Sequence, residues 1–143
     1  MRKMISVRTA CNVILFINVL SIAMHVLILV KILPAGFVWG GRLQNESQIL
    51  AFEIISIFVQ MVFMFIIALK AGYVLKGRFT KSVQVGIWLL FGIMVLNTAG
   101  NLASNSTFET IVMTPVTGML AVLLFRLGMG MDNNLKAIKP ELE

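Results

Sequence analysis

Long apolar runs alternate with short polar links along this chain. Residues 9–30, 54–69, 82–108 and 110–125 contain no Lys, Arg, Asp or Glu. About 20 mostly apolar residues, rising ~1.5 Å each in a helix, cross the ~30 Å hydrocarbon core of a bilayer. The first and third runs reach that length outright. The second and fourth reach it by taking in Glu53 and Glu109 near one end. The pattern predicts an all-α polytopic membrane fold, a bundle of four transmembrane helices at about 9–33, 48–70, 83–103 and 108–127, with residues 1–127 as the membrane domain and 128–143 as a polar, loosely ordered tail.

The polar residues inside the runs have a pattern of their own. Asn18, Ser21 and His25 in the first helix, and Glu53, Ser56 and Gln60 in the second, are spaced by three and four. Asn97 and Asn101 in the third, and Thr110, Thr114 and Thr117 in the fourth, repeat that spacing. Each set falls on one helix face. Polar side chains within a membrane face the bundle interior or a water-filled space, so the four stripes predict a polar seam. By helical rise, Asn18 and Gln60 lie near the midplane, His25, Asn97 and Thr114 higher, and Glu53, Asn101 and Glu109 higher still. The expected shape is a cup that opens towards the 34–46 link and closes near Gln60.

Composition strengthens the membrane reading. Of 143 residues 59% are hydrophobic and the mean hydropathy is +0.95, beyond what a soluble domain of this size can bury. Charge then sets an orientation. Of twelve Lys and Arg, only Lys31 and Arg42 fall on the side of the 34–46 link. The positive-inside rule places both termini and the 71–82 loop in the cytoplasm (N-in/C-in) and the 34–46 link outside, in a plasma or inner membrane. The net charge of +6 is thus a topology signal, with some attraction to anionic lipid, and does not indicate a nucleic-acid partner. The apolar part of the first run is too long for a signal peptide and no cleavage motif follows it, so a retained helix is expected. Cys11 is the single cysteine and reads as a small buried side chain.

The link "PAGFVWGGRLQNE", residues 34–46, is the chemically richest stretch, whereas the second link on its side, "LASNSTF", is short and plain. Two readings of the first link stand. It is a lid, with Trp39 capping the cup and Arg42 paired to Glu53 or Glu109, or it is an interfacial loop whose Trp anchors in headgroups. "FEII" at 52–55 and "FETI" at 108–111 echo each other and put Glu53 and Glu109 at similar depth. A glutamate withdrawn from water can carry a proton or grip a cation, and His25 can partner it as a neutral imidazole. Asn97 and Asn101 serve as interhelical glue or as ligand contacts. Pro115 should kink the fourth helix. The sequons at Asn45 and Asn105 fall close to predicted spans.

No phosphate loop, zinc-protease or serine-hydrolase string occurs. His25, Glu53 and Glu109 are chemically able to hold a metal, but no ligand spacing within a helix supports one, and no metal, catalytic group or particular cofactor is assigned. The expected function is binding or transfer of a small ligand or cation through the outward-facing cup. Its ligand contacts would be Glu53, His25, Glu109, Asn97, Asn101 and Gln60, with Trp39 and Arg42 from the link. Partners beyond the bilayer would be a second copy or another membrane protein. Two alternatives remain: an accessory protein that binds a membrane partner, and a membrane enzyme acting on a lipid through Glu53 and His25.

Overall fold

Ser6 opens the first helix, its hydroxyl accepting the Thr9 N–H at 3.1 Å, which satisfies one donor of the first turn. The computed structural model describes residues 5–138, with side chains through Gly130. Helix α1 runs Val7–Leu29 and stops short of the predicted residue 33. Its end is a left-handed closure: Lys31, at φ 60°, donates to Ile28 O at 3.0 Å, and Ile32 donates to Leu27 O at 2.9 Å. Pro34 follows, and a proline bars its predecessor from helical backbone.

Helix α2 spans Glu46–Ala71 and α3 spans Thr80–Leu102. A π turn, Glu109–Met113, then leads into α4, Thr114–Ile138. Pro115 accounts for that turn. It has no N–H, and its ring crowds the carbonyl four residues earlier. Widening the preceding turn relieves the clash, and Thr114 N–H bonds to Glu109 O instead. The expected kink thus takes the form of a π turn. Of the stretch expected as a tail, 128–138 continues α4 as helix, while 139–143 lie outside the described residues, as do Arg2 and Lys3.

The four helices are long and apolar enough to cross a membrane. They pack as two hairpins, α1 with α2 and α3 with α4, close within each pair and sparser between pairs. The hairpins meet best at the end carrying the 72–79 link, where Cys11, Ile14, Ile67, Ile87 and Leu124 are fully buried. Gly86 permits that closeness, since a Cβ there would stand 3.2 Å from Ile66 of the other hairpin, and Gly128 plays the same part between α3 and α4. A Cβ on Gly128 would stand 2.9 Å from the Trp88 ring, and Gln84 donates to the Gly128 carbonyl at 2.7 Å. The outer faces expose Phe16, Phe58, Phe65, Leu89, Leu96 and Val122 among many others. A contiguous apolar surface of that extent suits lipid rather than water.

Candidate functional site

Away from that tight end the hairpins separate around a cavity of about 480 Å³, within the range of small-molecule sites. Every helix contributes to its wall. Ile17, Leu20, Val59, Phe63 and Leu120 make the apolar part. Asn18, Ser21, His25, Ser56, Gln60, Asn97, Asn101, Glu109 and Thr117 make the polar part. Leu20 and Met119 on one seam between hairpins, and Ile55, Val59 and Ile93 on the other, line the cavity and are also exposed. The cavity therefore reaches the lipid-facing sides.

The link between α1 and α2 lies across one end. Trp39, Gly40 and Gly41 stand in succession at φ 58°, 67° and 65°. Three left-handed residues in a row coil the backbone tightly, and only glycine accepts that conformation without strain. The coil aims two donors at two carboxylates. The Trp39 indole N–H donates to Glu53 Oε1 at 3.0 Å, and the Gly40 backbone N–H donates to Glu109 Oε2 at 2.8 Å. Adjacent link residues thus reach one glutamate on each hairpin, so the two carboxylates lie at one level. Phe37 adds a ring contact with Phe108, 5.3 Å between centroids, and its carbonyl accepts the Ser106 hydroxyl at 3.2 Å.

Glu53 has no exposed surface. Its Oε2 is 2.5 Å from His25 Nδ1. The indole donates to the other carboxyl oxygen, so both oxygens of Glu53 are engaged and one proton is shared in the bond between Oε2 and Nδ1. That fixes the ring and leaves Nε2 as the free nitrogen of a side chain on the cavity wall. Glu53 itself does not line the cavity; it holds His25. Glu109 does line it, and its Oε2 also accepts the Ser104 hydroxyl.

Among the described residues Lys31–Glu46 is an ion pair and His25–Glu53 a hydrogen-bonded acid–base pair. Arg42 is exposed and pairs with neither Glu53 nor Glu109. The link lies across one end of the cavity, and the indole and a backbone N–H take the carboxylates that the lid reading gave to Arg42. The remaining polar residues divide. Asn101 Nδ2 donates to Thr117 Oγ1 at 3.3 Å, which is interhelical glue. Asn97 lines the cavity and makes no side-chain hydrogen bond among the described residues. Gln60 Nε2 donates to Ser21 Oγ at 2.9 Å, joining α2 to α1. Thr110 and Thr114 bond to backbone carbonyls, as short hydroxyl side chains in helices do. No three His, Cys, Asp or Glu side chains come together as a metal set among the described residues.

No protein family matches this chain, and no curated protein or solved structure is significantly similar to it. The functional reading rests on geometry. Sequence reasoning missed the Gly40 N–H and Ser104. The Gly pair at 40–41 was the available signal for the first; Ser104 sits in the link that looked plain and has none.

Proposed function

We propose that this chain is a small integral membrane protein that binds a small ligand of mixed polarity in the cavity between its hairpins, as the binding step of its retention or transfer. Both termini and the 72–79 link face the cytoplasm of a cell membrane and the 34–45 link faces outward, a reading supported by the Lys and Arg distribution. The observation that carries the function is the cavity wall. It combines apolar residues from all four helices with polar groups that have no protein partner, among them Asn97 and the Gln60 carbonyl. An accessory protein whose polar stripes were only glue would pair them with one another.

The test is photolabelling of the full chain in phosphatidylcholine nanodiscs with a diazirine-bearing phenylalkyl probe. Labelling is expected on the wall, at Ser56 and Val59, saturable by unlabelled phenylalkyl compound and reduced in Asn97→Trp, which fills the cavity from an exposed, unbonded position. Unsaturable labelling spread evenly over lipid-facing residues, unchanged in Asn97→Trp, overturns the reading.

The His25–Glu53 pair favours a second reading, proton transfer to a membrane-soluble ligand with His25 as acid or base and Glu53 as its positioning residue. Chemical change in a bound compound, lost in His25→Gln while binding persists, distinguishes it from binding alone.

A further inference from the structure

The cavity wall contains no Lys or Arg. Some of its acceptors have no protein donor among the described residues. Glu109 Oε2 takes the Gly40 N–H and the Ser104 hydroxyl, while Oε1 has no donor among the described residues. Gln60 Oε1 is buried without a partner, its amide N–H being given to Ser21. His25 bonds to Glu53 through Nδ1, and its Nε2 has no protein partner among the described residues. Asn97 can turn either end of its amide to a ligand. A buried acceptor without a donor, as Gln60 Oε1 is, is costly, and a carboxylate in apolar surroundings asks for positive charge as well as N–H. The Trp39 ring, one residue from the Gly40–Glu109 bond, adds an aromatic face of the kind that attracts cations.

Resting on the cavity reading above, we infer that the ligand is a lipophilic amine in its protonated form. Its ammonium group sits against Glu109 Oε1 under the Trp39–Gly40 coil, and its hydrocarbon body lies along Ile17, Leu20, Val59, Phe63 and Leu120. The seams between the hairpins give such a molecule a route in from the bilayer.

Three compounds of one shape separate this inference from the reading beneath it: 4-phenylbutylamine, 4-phenylbutanol and 4-phenylbutanoate, each competing with the photoprobe on the full chain in phosphatidylcholine nanodiscs. The amine should displace the probe at a concentration roughly tenfold or more below the alcohol, since a charge-assisted hydrogen bond outweighs a neutral one. The carboxylate should be the weakest. In Glu109→Gln the amine should fall to the level of the alcohol, and the alcohol should compete as before, which also reports that the variant is folded. Alcohol or carboxylate matching the amine on the wild-type protein overturns the inference and leaves the cavity reading standing. Failure of all three to compete overturns both. The wild-type order decides the matter even where Glu109→Gln does not fold.

Discussion

The link places two side chains of opposite consequence within four positions of each other. Trp39 gives its indole N–H to a glutamate with no exposed surface, whereas Arg42 stands exposed. Trp39→Phe keeps a ring and removes only the donor, leaving Glu53 Oε1 buried without a partner. It should cost about 1–3 kcal/mol, the penalty for stranding a buried polar group. Arg42→Ala should change stability by no more than about 0.5 kcal/mol, as surface substitutions do. Thermal unfolding of both variants in one detergent checks the contrast, and the reverse order would put the guanidinium back at the site. Much of this site was legible at the residue scale. Three- and four-residue spacing put Glu53, Ser56 and Gln60 on one face and His25 on the facing stripe, because helical period converts directly into direction. The partner of each carboxylate was not legible. Charge counting favours Arg42, but it cannot register a backbone N–H, which nearly every residue carries and only a coil of left-handed residues aims.

At the scale of elements, helix interiors were easier to foresee than their ends. The α1 end illustrates why. A left-handed closing residue is usually Gly or Asn, and at that position this chain has Lys31, φ 60°, so nothing in the sequence marked the stop before Pro34. At the corresponding point α2 has Gly72, φ 75°. Lys31→Gly should therefore stabilise the protein by about 1 kcal/mol, the strain of a left-handed non-glycine residue. The Lys31–Glu46 pair, with both side chains solvated, would obscure this slightly, so the comparison belongs in a Glu46→Gln background. Chemical unfolding of the two proteins measures it, and a loss of stability would mean that the closure carries no strain. The π turn was half legible. Pro115 announced a disturbance, but a kink and a widened turn both answer a missing N–H. The widened turn also leaves the Glu109 carbonyl to Thr114 while its carboxylate faces the link.

For the whole molecule, apolar length and composition were sufficient to foresee four long helices, since in lipid the backbone must satisfy itself. The sideways reach of the cavity was not foreseeable. It depends on how closely two hairpins approach, which is set by contacts such as Ile66 on Gly86 that no stripe encodes. The proposed orientation has a direct check. Single cysteines at Gln44 and Thr80, in a Cys11→Ser background, should react with impermeant maleimide from opposite sides of sealed vesicles. Reaction of both from one side would remove the four-span topology.

The Gly40–Glu109 bond also orders events during synthesis. His25 and Trp39 precede Glu53 in the chain, so both partners have left the ribosome when the second helix enters the bilayer, and a carboxylate costly to strand in lipid is met on arrival. Glu109 emerges later. Until then the Gly40 N–H has no acceptor, and the coil over the cavity stays unfastened at its far side. The first hairpin can thus complete its own His25–Glu53 hydrogen bond early in translation, while closure of the cavity awaits the last helix. A nascent chain arrested after residue 102 would hold Glu53 already protected and the cavity still open.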